Sequence, residues 1–324
     1  MSPMNGEARS IATHDGAAQP AEPVPVIITA RDGRQLAGLL LSSPTPRAAL
    51  VINSAAGFPR EFYLKFARYA AQRGYHTLVY DYRGIGASAM SPLHKDPARM
   101  SDWGVYDIPA AYEWMRGQAP DLPVTTLGHS IGGQFVGMLP AEAASGPHVM
   151  IAPSVGYWRW EHAPFRYLAL TFWLVYGPLM LRRRGYVPQG RLWTGRSLPR
   201  GVFEQWREWC LRPTHFFPEL QSELRDHRFG EIRGPLLVCC FEDDPIATRR
   251  TVPPLLALYF GARIEQHWIS PAEAGVCRLG HGGFFQERHR ETLWRLVLDW
   301  LDARVGSAER ASAIAPSTTA PPTT

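Results

Sequence analysis

A serine with glycines two residues to either side is the clearest candidate for chemistry in the sequence, which reads Gly128-His129-Ser130-Ile131-Gly132 at that point. An apolar run precedes the segment and a helix-compatible run follows it, so the serine would stand in an abrupt turn between a strand and a helix. Such a turn lifts the hydroxyl off the sheet, where it can attack a carbonyl carbon. A Cβ at either glycine would collide with the neighbouring strand or helix, which explains their spacing.

A serine nucleophile needs a base, and the base needs an acid that orients it. The apolar run 236–241 ends at the acidic residues Glu242, Asp243 and Asp244, and His281 stands between two glycines after the next apolar run. We predict Asp244 as the acid and His281 as the base, because this order along the chain suits a serine on such a turn. The other two carboxylates are expected to be solvated or to cap a turn.

Other histidines compete less well for the role of base. His267 lies inside a predicted strand and His289 on the last predicted helix. His129, next to the serine, is expected to pack or to form a local hydrogen bond.

The elements that would position these residues alternate between short apolar runs and segments of helical period. Near-continuous apolar strands separated by crossover helices predict the α/β class, with a parallel sheet covered on both faces. The predicted strands are 24–30, 36–41, 48–53, 76–80, 123–127, 148–151, 236–241 and 263–269; the main helices are 61–73, 102–116 and 284–304.

This alternation fails over residues 156–233, which we interpret as a helical, aromatic-rich lid inserted between two parts of one core, 24–155 and 234–305. The terminal segments 1–23 and 306–324 lack periodicity and are expected to be disordered. The predicted lid holds Trp158, Trp160, Trp173, Trp193, Trp206 and Trp209.

Within the predicted lid, the run 168–181 is apolar all round and is followed by Arg182, Arg183 and Arg184. It falls short of the ~20 residues of a membrane-spanning helix, and Pro178 is expected to interrupt it. We favour a buried helix with a solvated basic end. A peripheral contact with an anionic membrane surface is the alternative.

Composition excludes several classes of protein. The chain of 324 residues is 45% hydrophobic and 19% charged, which requires a large core and excludes a disordered or fibrous chain. Its net charge of +5 is scattered, so nucleic-acid binding is not expected. Four cysteines without metal-ligand spacing indicate a reducing compartment, with Cys239 and Cys240 as core residues.

Neither a signal peptide nor a cofactor is expected. No apolar stretch of signal-peptide length occurs in the first twenty-odd residues, so we predict a cytoplasmic protein. Metal, phosphate-loop and flavin signatures are missing. Gly84-Ile85-Gly86 imitates a dinucleotide fingerprint, but Asp81-Tyr82-Arg83 separates it from its strand; Asp81 and Arg83 are expected to fix this loop structurally.

Four segments together resemble the α/β-hydrolase superfamily: 128–132, the loop 81–88, 242–246 and 280–282. More narrowly, the chain resembles the serine aminopeptidase and monoacylglycerol-lipase-like branch. Segments 206–210 and 281–285 are similar to one little-characterised bacterial group, and the resemblance spans about residues 24–304. It implies an eight-stranded, mostly parallel sheet with helices on both faces and a helical lid.

For the site, the resemblance implies Ser130 as nucleophile, His281 as base and Asp244 as acid, since the family acid lies three positions after the residue that ends the strand. One departure concerns the oxyanion hole. Many relatives carry His-Gly after the third strand, whereas this chain has Asn53-Ser54-Ala55-Ala56-Gly57. We predict Ala55 and Ile131 as the N–H donors, with Ala56 as the alternative to Ala55.

The hypothesis that follows is a serine hydrolase that cleaves an ester, thioester or small amide through an acyl-enzyme on Ser130, with an apolar or aromatic acyl group in its small-molecule substrate. An acyltransferase or lyase on the same fold is one alternative. A non-catalytic binding or membrane-peripheral protein is the other. The oligomeric state stays open.

Overall fold

A central eight-stranded sheet organises the molecule, for which a computed structural model describes residues 22–314, with side chains as far as Val305. Its spatial order is β1-β2-β4-β3-β5-β6-β9-β10, and a separate two-stranded hairpin pairs β7 with β8. In chain order the strands are β1 Val24–Thr29, β2 Gln35–Leu41, β3 Ala48–Asn53, β4 Tyr75–Tyr80, β5 Val124–His129, β6 His148–Ile151, β7 Tyr186–Val187, β8 Leu198–Pro199, β9 Pro235–Phe241 and β10 Arg263–Ile269.

The large sheet is mostly parallel, as predicted. Only β2 runs against its neighbours, β1 and β4, while the pairs from β4 to β10 are parallel. Every residue of β3, β5 and β6 is buried, because helices cover both faces there. The edge strand β10 is exposed or half-buried throughout. The carboxyl ends of the central strands therefore form a rigid edge at which side chains can be held.

Helices surround the sheet, and a π-helical turn adjoins three of the longer ones. Trp103–Asp107 joins α2 to α3, Phe172–Tyr176 joins α5 to α6, and Arg290–Trp294 leads into α9. The α-helices are α1 Leu64–Gln72, α2 Met100–Asp102, α3 Ile108–Gln118, α4 Ile131–Gln134, α5 Phe165–Thr171, α6 Gly177–Arg184, α7 Arg200–Leu211, α8 Val252–Leu256 and α9 Arg295–Ile314.

Three helix predictions need correction. Pro178 does not end the helix, because α5, the π turn Phe172–Tyr176 and α6 follow one another without a gap; the π turn just before Pro178 is the only departure from regular α-helix in this run. The last helix begins late, since 283–294 form short 3₁₀ and π turns that direct Phe284 and Phe285 into the core. It also runs to Ile314, into the segment predicted to be disordered from 306, where alanines favour a helix. Of the predicted tails 1–23 and 306–324, residues 1–21 and 315–324 lie outside the described residues.

Residues 156–233, which we call the cover segment, follow β6 and precede β9. They contain α5, α6, α7 and the β7–β8 hairpin, so the segment predicted to be helical also holds one short hairpin. Aromatic rings hold the segment together: Trp173 meets Trp206 at 4.8 Å between ring centroids, and Phe172 stacks on Trp193 at 5.3 Å. Its role as a lid stays a prediction.

The continuous helix formed by α5 and α6 is less buried than predicted. Three of its aromatic or leucine side chains, Phe172, Trp173 and Leu181, face the interior. The opposite face presents Tyr167, Leu168, Leu174, Val175 and Leu179 to solvent, and the three arginines at its end are exposed. Over residues 22–314, no helix is both long and apolar enough to span a bilayer.

The loop after β4 is fixed by its charged residues, as predicted. The Asp81 carboxylate accepts hydrogen bonds from the backbone N–H groups of Arg60 and Ala87. Arg83 forms ion pairs with Asp107 at 2.7 Å and with Asp32 at 2.6 Å. The glycines of this loop lead into a single 3₁₀ turn. A dinucleotide site would require a long helix at this point.

Candidate active site

Ser130 stands in a strained turn between β5 and α4, with φ of 53° and ψ of −115°. Such a backbone conformation is rare for a residue with a side chain and persists only where its surroundings impose it. Here the Ser130 N–H donates to the Ile151 carbonyl at 2.9 Å, and the Ser130 carbonyl accepts from Gly133 and Gln134. The neighbouring strand and helix therefore fix the nucleophile candidate in place.

The two flanking glycines are required by close backbone contacts, as predicted. A Cβ at Gly128 would lie 2.3 Å from the Gly132 carbonyl oxygen on α4. A Cβ at Gly132 would lie 2.3 Å from the Asn53 carbonyl oxygen on β3. Helix, turn and strand can approach this closely only without side chains at these positions.

Asp244 and His281 form a direct pair. His281 Nδ1 lies 2.7 Å from Asp244 Oδ2, and the Asp244 side chain is fully buried. Its Oδ1 accepts hydrogen bonds from the backbone N–H groups of Ile246 and Ala247. Burial alone would raise the pKa of Asp244, but His281 and these two donors hold it below its usual value. An ionised carboxylate fixes the ring orientation and leaves Nε2 of His281 for other contacts.

The prediction that Asp243 is solvated or only caps a turn is wrong. Its two carboxylate oxygens accept hydrogen bonds from the backbone N–H groups of Leu279 at 2.9 Å and Gly280 at 3.0 Å. Asp243 thus holds the loop that carries His281, while Asp244 holds the ring. Glu242 pairs with exposed Arg249 at the surface, as a solvated carboxylate would.

Ser130 and His281 open onto one cavity of about 310 Å³ beneath the cover segment. No direct hydrogen bond joins the two side chains among the contacts of residues 22–314. In proteins without substrate, catalytic contacts are often longer and tighten when the substrate binds. Aromatic and aliphatic residues form most of the wall, namely Phe58, Ile131, Phe165, Leu168, Ala169, Phe172, Trp173, Leu192, Trp193, Trp206 and Ile246.

The predicted oxyanion donor Ala55 is wrong, because its N–H already donates to the Tyr63 hydroxyl at 2.8 Å. Ala56, the alternative, lines the same cavity, and its N–H has no partner within the described part of the chain. The N–H of Ile131, at the first position of α4, is equally free. Ala56 and Ile131 are therefore the two backbone donors available to a developing oxyanion.

A buried hydrogen-bond chain links the two loops of the site. The Tyr63 hydroxyl lies 3.0 Å from His129 Nδ1, and His129 Nε2 lies 2.9 Å from the carbonyl oxygen of His281. Burial and the nearby His281 lower the pKa of His129 to about 3, so its ring is neutral. A neutral ring that donates from Nε2 and accepts at Nδ1 satisfies both contacts. Sequence reasoning missed this role, because the partners lie far away along the chain.

Residues 49–295 match the model of the alpha/beta hydrolase family. The match covers most of the sheet, the serine turn and the acid–histidine pair. This chain belongs to the alpha/beta hydrolase family. No curated protein matches the chain.

Solved structures share the α/β-hydrolase fold at low sequence identity. An esterase of Pyrococcus furiosus has a TM-score of 0.55 at 15% identity, over 88% of this chain and 92% of that one. A puromycin hydrolase has a TM-score of 0.55 at 17% identity, over 89% of this chain and 40% of that one. The acylaminoacyl peptidase of Pyrococcus horikoshii has a TM-score of 0.55 at 12% identity, over 89% and 42%.

One acidic side chain in the cavity of this α/β hydrolase was not anticipated from sequence. Glu161, near the start of the cover segment, is only 7% exposed and lines the cavity that Ser130 opens onto. Its Oε2 has no hydrogen-bond partner. A lone glutamate between Trp160 and His162 gives no sequence signal of such a position. Burial and the nearby Asp244 raise its pKa well above the usual value.

Proposed function

We propose that this α/β hydrolase is a serine hydrolase that cleaves an ester, thioester or small amide through an acyl-enzyme on Ser130. One observation carries the proposal: a strained serine shares a cavity with a histidine whose other ring nitrogen is held by a buried carboxylate. Each part alone occurs in inactive proteins. Their combination on one cavity is what acyl transfer requires.

The residues act in a defined order in this proposal. Ser130 Oγ attacks the substrate carbonyl while His281 Nε2 takes its proton, and the developing oxyanion is bound by the N–H groups of Ile131 and Ala56. The imidazolium returns the proton to the leaving group as the tetrahedral intermediate collapses. Water then attacks the acyl-enzyme by the same route and releases the acid. Asp244 keeps the tautomer and stabilises the charged ring throughout.

The lining of the cavity favours an apolar or aromatic acyl group in the substrate. The cavity volume of about 310 Å³ is at the lower end for pockets that bind small molecules. Rings from the cover segment form the side opposite the sheet, and burying apolar substrate against them contributes about 25 cal/mol per Å². A small acyl group with an apolar body is therefore the substrate class that fits.

Labelling with a fluorophosphonate probe tests the proposal. We expect covalent labelling of the folded protein at Ser130, identified by mass spectrometry, and its loss in Ser130→Ala. Ser154 lines the same cavity and provides the matched control, so Ser154→Ala should retain labelling. Labelling elsewhere, or none in folded protein, would overturn the proposal.

A substrate panel then identifies the bond that is cleaved. Turnover of p-nitrophenyl esters of graded acyl length, measured beside amino-acid anilides, separates an esterase from a peptidase. Product analysis with added alcohols separates hydrolysis from acyl transfer. We expect carboxylic acid to be the main product.

A further inference from the structure

The Glu161 carboxyl is buried without a countercharge. It forms no ion pair with any described arginine, lysine or histidine, and its Oε2 lacks any hydrogen-bond partner. Asp244 and Cys210 interact electrostatically with it, and neither is a cation. Four arginines, Arg159, Arg166, Arg249 and Arg250, line a second pocket on which Glu161 also borders, but none of them forms an ion pair with it among the described residues. A buried carboxyl in this state destabilises the free protein, because desolvation is not offset by a partner. A ligand that supplies a hydrogen-bond or ion-pair partner to this carboxyl would offset that cost.

A second unpartnered acceptor lines the same cavity. Gln134 donates its amide nitrogen to the Ser154 carbonyl, which leaves Oε1 buried and without a donor. Glu161 and Gln134 together offer acceptors, and neither has a donor from the protein. No described protein donor reaches these two oxygens, and the buried Trp173 Nε1–H in the same wall also lacks an acceptor, so a donor-rich ligand group that also carries an acceptor would satisfy the cavity.

The rings around the cavity favour a cationic donor. Trp173 and Trp206 meet edge to face at 4.8 Å between centroids, and Trp193 lies 5.6 Å from Trp206. Indole faces attract alkylammonium groups, most strongly where water is excluded. Among the described cavity residues, Arg191 is the only arginine; it is exposed, and no ion pair joins it to Glu161.

We infer that Glu161 makes the cavity selective for acyl groups that carry a basic amine, bound as an ammonium ion between this carboxylate and the tryptophan rings. The inference rests on the proposed hydrolase function, since it assigns the acyl group of that substrate. It refines the apolar acyl group predicted from composition to an apolar body with a cationic end.

The protonation state of Glu161 is consistent with this assignment. Burial first, and Asp244 second, raise the pKa of Glu161 well above its usual value, which favours the protonated carboxyl in the free protein. Binding of an ammonium group favours the carboxylate, and the proton leaves to solvent. The free protein thereby avoids an uncompensated buried charge, and the bound state gains an ion pair.

Matched esters test the inference through a ratio of rates. The probes are the p-nitrophenyl ester of a dimethylamino-terminated alkanoic acid and its isopropyl-terminated carbon isostere of equal length. We expect the native protein to prefer the amine ester in kcat/KM by at least tenfold. In Glu161→Gln the ratio should fall by about 30-fold or more, as for loss of a desolvated charge pair.

Glu204→Gln is the matched control, because Glu204 lies on α7 of the same cover segment and pairs with Arg200 at the surface. It should keep the native ratio. Equal turnover of the two esters by the native protein would overturn the inference, as would an amine preference that persists in Glu161→Gln. Preference for a hydroxyl-terminated ester over the amine ester would also overturn it.

A binding measurement separates failure of this inference from failure of the hydrolase proposal. Titration calorimetry of Ser130→Ala with hexylammonium and with hexanol requires no catalysis. We expect hexylammonium to bind at least tenfold more tightly, and the order to reverse in Ser130→Ala/Glu161→Gln. Native protein labelled at Ser130 that shows no preference for the ammonium contradicts only the inference. Ammonium preference without labelling contradicts only the hydrolase proposal.

Discussion

Two adjacent aspartates divide the placement of one histidine between them. Asp244 binds the His281 ring, and Asp243 binds the backbone of the loop that carries it. The ring contact sets tautomer and charge, which matter in the transition state, whereas the loop contacts set position. Under the proposed mechanism the two side chains contribute to catalysis by different amounts, and the same substitution at each can measure the difference.

Asp244→Asn should lower kcat by about 10⁴-fold, because an amide at this position favours the wrong histidine tautomer. Asp243→Asn should lower kcat/KM by only about tenfold, since one amide oxygen still accepts one of the two N–H groups. Steady-state hydrolysis of one ester by both variants gives the comparison. A larger loss in Asp243→Asn than in Asp244→Asn would show that Asp244 was wrongly assigned as the acid.

Tyr63 is a positioning residue, because it touches both the Ala55 N–H and His129 but no reacting atom. Tyr63→Phe leaves two buried polar groups without a partner, which costs about 1–3 kcal/mol of unfolding free energy. We expect kcat to fall with KM nearly unchanged, since the oxyanion loop and the His281 loop lose their link.

Tyr75→Phe provides the control for this prediction. Its hydroxyl is hydrogen-bonded to Asp302, at the opposite end of the sheet from the site. Denaturant unfolding should show a loss of stability in both variants, but only Tyr63→Phe should lose kcat. A purely structural role for Tyr63 predicts equal kcat in the two.

The residues of the site that could be predicted from sequence are those whose local pattern reports their function. Ser130 and His281 have their neighbouring glycines, and Asp244 has its place after a strand. Other features depend on contacts that no local pattern encodes. The partner of the Ala55 N–H is eight residues away, His129 reaches a carbonyl 152 residues away, and Glu161 is buried by a segment folded over it.

At the scale of elements, the approach of α4 to β3 is set by a glycine without space for a methyl group. Gly132→Ala places a Cβ 2.3 Å from the Asn53 carbonyl oxygen, so helix and strand must separate. We expect a loss of about 2 kcal/mol or more in unfolding free energy and loss of fluorophosphonate labelling at Ser130.

Gly117→Ala is the matched substitution, since Gly117 lies in α3 with nothing within 4 Å of an added Cβ. Alanine there should raise the unfolding free energy by about 0.5–1 kcal/mol through helix propensity. Thermal and denaturant unfolding should show a lower unfolding free energy for Gly132→Ala and a higher one for Gly117→Ala. Equal destabilisation would mean that the contact with Asn53 is not the cause.

A peripheral membrane contact remains a prediction, and the exposed face of the α5–α6 helix is the surface where we expect it. Apolar side chains cover it, and Arg182, Arg183 and Arg184 stand at its end. We expect the protein to sediment with anionic vesicles. Salt should weaken this binding, and so should replacement of the three arginines by glutamine, because each arginine contributes about 1 kcal/mol of binding free energy. Equal binding to neutral vesicles, or none to either, would contradict this contact.

The elements themselves follow from the sequence more completely than their boundaries do. Eight segments were predicted as strands, and all eight join the sheet. Burial on both faces explains the apolar runs of β3, β5 and β6, whereas the edge strand β10 is exposed or half-buried. The π turn at Phe172–Tyr176 and the late start of α9 could not be predicted, since the apolar period continues through both. Tertiary packing, which directs Phe284 and Phe285 inward, decides those boundaries.

At the scale of the whole molecule, several histidines are buried in the neutral form. Burial lowers the pKa of His129 to about 3, of His148 to about 4 and of His215 to about 3. Below the ordinary value of 6.5, the unfolded chain takes up protons that the folded protein does not. Their contribution to stability is therefore complete above pH 6.5 and is lost as the pH falls towards the folded values.

His215 isolates this effect, because it lies away from the reacting atoms, between Trp209 and Phe216, with both ring nitrogens unpartnered. Burial first, and Arg212 second, lower its pKa to about 3. His215→Phe removes one titrating group. The native protein should then lose about 2–3 kcal/mol more unfolding free energy than the variant between about pH 6 and pH 4. Absolute stability is not the readout, since φ at position 215 is 47°, a strained value for phenylalanine.

His267→Phe is the control substitution, because His267 lies on the edge strand β10 with its side chain partly open to solvent. Denaturant unfolding of the three proteins across the acid range measures the slopes. Other buried groups titrate in the same range, so the difference between native protein and variant carries the result. Parallel curves for native protein and His215→Phe would show that the buried ring binds its proton as readily as the unfolded chain does.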